Sequence, residues 1–143
     1  MSILAPGYEL VTAPELIDVD AAHAYLKRSY WSPGIPRETV ARAIANSLCV
    51  AVSCQGAQVG LARVVTDRAT FAYLADVYVL EDHRGMGLAR AMVRWLQEHH
   101  ELQGLRRWLL MTLDAHRLYE SLGWSPLAHP ERGMERHNPD IYA

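Results

Sequence analysis

The chain has 143 residues, is 50% hydrophobic and 21% charged, and carries a formal net charge of −2. That length and balance fit one domain over 1–143 with a substantial core, and the acidic balance disfavours a general nucleic-acid binder, whose phosphate contacts need a basic surface. No apolar run nears the roughly 18 residues of a membrane span. Residues 1–6 carry neither a basic region nor a long apolar stretch, so the expectation is a cytoplasmic protein with no membrane partner.

In chain order, residues 8–12 predict a short first strand. Asp18 or Asp20 can cap a helix reaching about Ser29, with Ala22, Leu26 and Tyr30 near one face. Residues 30–36 (Tyr-Trp-Ser-Pro-Gly-Ile-Pro) predict a loop, because two prolines and a glycine interrupt regular structure. A second helix follows over 37–46. Strands over 47–54 and 57–65 flank Gln55 and Gly56 as a hairpin. A turn at 66–68 leads into a long strand over 70–80.

The next helix is expected to run to about Glu101, burying Leu88, Met92, Trp95, Leu96 and His99 at helical spacing. Residues 107–112 form an apolar strand. Strand, helix and strand in succession imply a right-handed crossover with parallel pairing. Residues 124–128 begin a last strand region, and the tail from His129 has no assigned place. Cys49 and Cys54 share one strand-like run, about 16 Å apart at roughly 3.3 Å per residue, too far for a disulfide. They are expected to be reduced. The histidines form no metal-ligand pattern, and His99 and His100 are expected to point in different directions. No metal is expected.

The most informative segment is 76–89, Asp-Val-Tyr-Val-Leu-Glu-Asp-His-Arg-Gly-Met-Gly-Leu-Ala. An apolar strand enters a glycine-bearing turn that opens a helix, so several backbone N–H groups and the positive end of the helix dipole converge. Gly85 and Gly87 let a bulky anion approach the backbone. Arg84 and Arg90 add full charges, and Arg94, Arg106 and Arg107 could extend a basic cluster toward the same anion, although Arg94 and Arg106 also read as solvated surface. A nucleotide-hydrolase loop would place Lys and then Ser or Thr where Leu88 and Ala89 stand, and a dinucleotide fingerprint has a longer glycine spacing.

What fits is Arg-x-x-Gly-x-Ala, carried by Arg84, Gly87 and Ala89. This pattern resembles the coenzyme A loop of the GNAT superfamily of N-acetyltransferases. Residues 112–124 resemble that family's other signature: Ala115, then Tyr119 four residues on, then Gly123 and Trp124. Ala115, Leu118, Tyr119 and Leu122 share one helical face. The two signatures occur in the family's order with one strand-like run between them.

The resemblance implies a single-domain GNAT-like α/β fold: a mixed central sheet with helices on both faces and a splayed strand pair. It implies acetyl-CoA as co-substrate. The pyrophosphate would lie on 84–90, that is Arg84, Gly85, Met86, Gly87, Leu88, Ala89 and Arg90. The pantetheine arm would pair with backbone at Val77, Tyr78 and Val79, and Thr112 stands where the family often has an Asn touching that arm. The acceptor pocket would come from the 30–36 loop, with Tyr30, Trp31 and Ile35 as apolar walls.

Acetyl transfer needs a neutral amine and a protonated leaving thiol. A lysine-like amine is neutral in only about one molecule in 2,500 at pH 7, a deficit of roughly 4.6 kcal/mol. A general base or a desolvated pocket must supply much of that. Tyr119 is the candidate acid for the departing thiolate. Asp76 is the candidate base, since residues 102–113 contain no carboxylate where many family members have one; a water relayed by backbone groups is the other route. The acceptor is expected to be a small-molecule amine. A protein N-terminus or lysine, or an inactive coenzyme A-binding module, are the alternatives, and a homodimer is compatible.

Overall fold

The structure is a computed structural model that describes residues 4–143; residues 1–3, part of the leader reading, lie outside the described residues. The strands are β1 (Tyr8–Val11), β2 (Leu48–Cys54), β3 (Ala57–Thr66), β4 (Phe71–Val79) and β5 (Arg107–Leu110), in one sheet whose spatial order is the chain order. The helices are α1 (Val19–Leu26), α2 (Arg37–Ala45), α3 (Leu88–Glu98) and α4 (His116–Glu120). Pairing is antiparallel from β1 to β4 and parallel between β4 and β5. A parallel neighbour needs a crossover, and α3 supplies it.

Alternation along the strands feeds two cores. On one face, Val50, Val52, Ala62, Val64, Ala72 and Leu74 meet Leu88, Met92, Val93 and Leu96 of α3 and Tyr119 of α4. On the other, Cys49, Ala51, Leu61 and Tyr78 meet Ala22 and Leu26 of α1 and Val40 of α2. The sheet is therefore mixed and covered by helices on both faces. Met92 and Leu96 have no exposed surface, so truncating either to Ala would cost about 2–5 kcal/mol. Asp18 caps α1, its carboxylate accepting the Ala21 N–H at 3.0 Å. Both cysteines are free thiols.

Several expectations need correction. Helix α1 ends at Leu26, so Tyr30 lies in the loop beyond it and is 61% exposed. Helix α3 ends at Glu98. His99 has extended backbone, and its Nδ1 accepts the Glu101 N–H at 3.1 Å instead of lying on the buried face. With the helix broken there, the His99 and His100 rings stack at 4.5 Å rather than diverging. β5 stops at Leu110, two residues short, because the chain turns into α4 through Thr112, whose hydroxyl accepts the Ala115 N–H at 3.0 Å. Among the described residues no strand follows β5. Pro126 and Pro130 carry no N–H for a ladder, and Trp124 packs on the core instead.

Candidate active site

The site begins with a fault in the ladder between β3 and β4. Leu61 lies opposite Tyr78 and Arg63 opposite Ala75. One residue of β3, Ala62, thus faces two of β4, Asp76 and Val77. This is a β-bulge, and Asp76 carries it at φ 53°. The extra residue exchanges the faces of β4: Ala72 and Leu74 point to the α3 side before it, while Tyr78 points to the α1–α2 side after it. Pairing with β5 covers only Phe71 to Leu74. Beyond the bulge the two strands part, and that splay opens the gap.

Backbone alternation decides which groups face the gap. The Leu80 N–H donates to the Val59 carbonyl at 2.8 Å, so residues 80 and 78 turn their backbone groups toward β3. Val77 and Val79 turn theirs toward the gap. Of the three expected backbone partners, Tyr78 is therefore directed away. The Val79 carbonyl already accepts the Arg84 Nε–H at 2.9 Å.

After β4, a 3-10 turn (Glu81–His83) leads into Arg84, Gly85, Met86 and Gly87. Gly87 caps α3 at φ 75° with no capping side chain, and the first helical bond runs from the Ala91 N–H to Gly87. The N–H groups of Leu88, Ala89 and Arg90 consequently have no intrahelical acceptor. A Cβ built on Gly85 or Gly87 would meet nothing within 4 Å, so the space above the turn is open. Met86 is 45% exposed beside it. Arg84 folds back toward β4 and also donates to the Tyr25 hydroxyl at 3.2 Å, while Arg90 donates to Ser121 Oγ at 2.6 Å. The wider arginine cluster does not form at this point: Arg107 pairs opposite Phe71, at the far end of β4 from the turn.

Tyr119 is buried on α4, its ring edge-on to Trp124. Burial, with the Tyr30 phenol nearby, pushes its hydroxyl up to about 12. Tyr30 reaches across the gap, where its hydroxyl accepts the Leu113 N–H at 3.3 Å. Thr112 lies between them in sequence, and its oxygen is occupied as the cap on Ala115.

Asp76 lines the same cleft as Tyr119, with both oxygens engaged. One accepts the Trp31 indole N–H at 2.8 Å and the other the Arg63 Nε–H at 2.8 Å. Arg63 in turn donates to Ser47 Oγ at 3.0 Å. The Trp31 ring, 37% exposed, lies against Tyr30 and Tyr25. Ile35 is buried in the α1–α2 core beneath the loop, so it supports the pocket more than it lines it. Sequence reasoning missed Arg63, although a lone charge in the run Val59-Gly60-Leu61-Ala62-Arg63-Val64-Val65 was a usable signal. It also missed Tyr25, stacked on Tyr78 at 4.1 Å.

One continuous cleft of about 1860 Å³ joins the glycine turn, the splayed gap, Tyr119, Asp76 and Trp31. That exceeds the usual range for a single small-ligand site, ~300–1,000 Å³. Among the described residues no group of three or more His, Cys, Asp or Glu is arranged to hold a metal ion. No helix of the described residues is long and apolar enough to cross a membrane.

Comparison with known proteins bears on this arrangement. The family model described as "Acetyltransferase (GNAT) family" matches residues 15–124. A protein of Gibberella zeae assigned as an acetyltransferase is 34% identical over 135 aligned residues, covering 78% of this chain and 75% of the relative. The crystal structure of a Xanthomonas campestris protein assigned to the GNAT family superposes with a TM-score of 0.92 at 43% identity, covering 96% of this chain and 98% of that one. An acetyltransferase structure from Deinococcus radiodurans shares the fold, with a TM-score of 0.76 at 20% identity, covering 99% of this chain and 96% of that one.

Proposed function

The chain belongs to the GNAT acetyltransferase family, and from that premise we propose that it moves the acetyl group of acetyl-CoA to the nitrogen of a small primary amine. The observation that carries this reading is the single cleft running from an uncapped, glycine-bearing helix N-terminus to Tyr119 through the β4–β5 splay. Uncapped N–H groups and open space above Gly85 and Gly87 fit a pyrophosphate. Backbone of Gly85, Met86, Gly87, Leu88 and Ala89 would hold it, with Arg84 and Arg90 at the flanks. Val77 and Val79 offer the pantetheine arm a strand edge. Thr112 can still donate its hydroxyl proton to that arm while accepting from Ala115.

Acetyl-CoA supplies an activated thioester; the chain positions it and handles protons. The acceptor nitrogen loses a proton and the leaving sulfur gains one. With its hydroxyl near 12, Tyr119 is a weak donor to a thiolate whose acid has a pKa near 8.5, uphill by roughly 5 kcal/mol for full transfer. A phenolate would not accumulate. Tyr119 therefore acts as a hydrogen-bond donor to the developing thiolate, passing a proton on as it receives one from the amine side.

Asp76 accepts one hydrogen bond on each oxygen, from Trp31 and from Arg63, and this tie between two elements favours an anchoring role over that of base. A water relay and desolvation of the amine then supply the neutral nucleophile. The same engagement is the observation that favours the inactive coenzyme A-binding alternative. Free thiols and an acetyl-CoA requirement suit a cytoplasmic setting.

The test is coenzyme A release by purified protein across amines, polyamines, aminoglycosides and lysine peptides. Release that depends on one small amine supports the reading. Binding of acetyl-CoA with no release on any amine would leave the sensor alternative standing.

A further inference from the structure

The segment after α4 takes no part in the sheet, yet it runs from one core to the other. Trp124 fixes its start on the α3 side, its indole N–H donating to Gln97 Oε1 at 2.7 Å and its ring against Tyr119 and Trp108. Tyr142 fixes its end on the α1–α2 side, where it packs on the core. Every residue from 125 to 141 is exposed. Between these anchors the segment lines the same cleft as Trp31, Asp76 and Tyr119.

The far anchor is built into the acceptor loop. Gly34 sits at φ 80°, and a Cβ there would lie 2.9 Å from the Tyr142 carbonyl oxygen. The Gly34 N–H donates to the Lys27 carbonyl at 2.8 Å, which fixes Gly34 against the end of α1. Turn bonds from the Ile141 N–H to Asn138 and from the Ala143 N–H to Asp140 shape the approach of Tyr142. Only a residue without a side chain lets tail and loop meet this closely.

We propose that residues 125–143 form a strap across the acceptor end of the cleft, pinned by Tyr142 on Gly34, and that this strap sets the size of amine admitted. A small amine is held between strap and Trp31. An amine on a peptide or folded protein must displace it. This rests on the acetyltransferase reading above.

The experiment compares the full chain with Tyr142→Ala, Gly34→Ala and a chain ending at Met134. Acceptors are the small amine found by coenzyme A release and a short lysine peptide. Each variant is expected to raise the small-amine KM about tenfold or more while leaving the acetyl-CoA KM within about twofold. The peptide-to-small-amine ratio of kcat/KM is expected to rise about tenfold. Should truncation unfold the chain, the two point variants decide, since thermal melts report their folding directly. Small-amine and peptide kcat/KM both unchanged in Tyr142→Ala and Gly34→Ala would overturn the strap. A wild type that transfers to no amine would instead overturn the acetyltransferase reading, and the strap's role with it.

Discussion

Trp31 and Asp76 are joined by a hydrogen bond of 2.8 Å that ties the 30–36 loop to the bulge in β4. The bulge creates the gap, and the loop forms the opposite wall, so one carboxylate registers the two halves of the cleft. Arg63 completes the link from β3 with side-chain exposures of 17% and 12% for the pair.

That arrangement predicts how Asp76→Asn behaves. Asn tolerates the positive φ of the bulge and can still accept from Trp31. It leaves the Arg63 charge without its ionic partner, a loss below the ~3–5 kcal/mol of a fully buried pair, since both side chains keep some exposure and Arg63 keeps Ser47. A lower melting temperature with a raised amine KM is expected, while kcat stays within about tenfold of wild type. A fall in kcat of about 10²- to 10⁴-fold with unchanged stability would restore Asp76 as the base.

Trp31→Ala removes the other end of the link. The apparent KM for the amine is expected to rise while acetyl-CoA affinity is nearly unchanged, because the Trp31 ring contacts Asp76, Tyr25 and Tyr30 and not the glycine turn. Equal losses for both substrates, measured by initial rates, would make Trp31 part of the core.

Gly87→Glu tests the cofactor turn. A side chain at φ 75° is strained, and its charge would occupy the open space above the uncapped α3 N–H groups. The rise in melting temperature that acetyl-CoA gives wild type by mass action should vanish. A preserved shift would place the cofactor elsewhere.

Tyr119→Phe keeps the ring against Trp124 and removes only the hydroxyl. Turnover should fall by about 10²- to 10⁴-fold with acetyl-CoA binding retained. Because the phenol lies near 12, the wild-type rate should climb with pH through the amine's own titration, without a downturn from Tyr119 below about pH 11. The raised value also carries a stability sign. The folded state holds this proton more tightly, so the contribution is complete below about pH 10 and is lost as pH rises toward 12. Tyr78, also pushed up to about 12 by burial, adds in the same direction. Alkaline melts should show the decline, shallower in Tyr119→Phe.

Much of the fold was legible because it rests on local chemistry. Asp18 caps where an N-cap residue should, the Gln55-Gly56 turn closes its hairpin, and Gly123 at φ 97° ends α4. The bulge was not legible. A strand reading assumes unbroken alternation, and nothing local in Asp76-Val77-Tyr78 marks the extra residue; only the register against β3 does. The pairing of Asp76 with Arg63 and Trp31 spans three elements and was invisible for the same reason. The tail was harder still, since residues 125–141 carry no periodic pattern and are held through distant contacts at their two ends, Trp124 on Gln97 and Tyr142 beside Gly34.

The most direct measurement follows an isotopically labelled acetyl group from acetyl-CoA in a reaction with the acceptor amine, with wild type beside Tyr119→Phe. Label should appear on the acceptor nitrogen in step with coenzyme A release, and about 10²-fold or more slowly in the variant. Label released only as free acetate, or transferred equally fast without the Tyr119 hydroxyl, would contradict amine acetylation through this cleft.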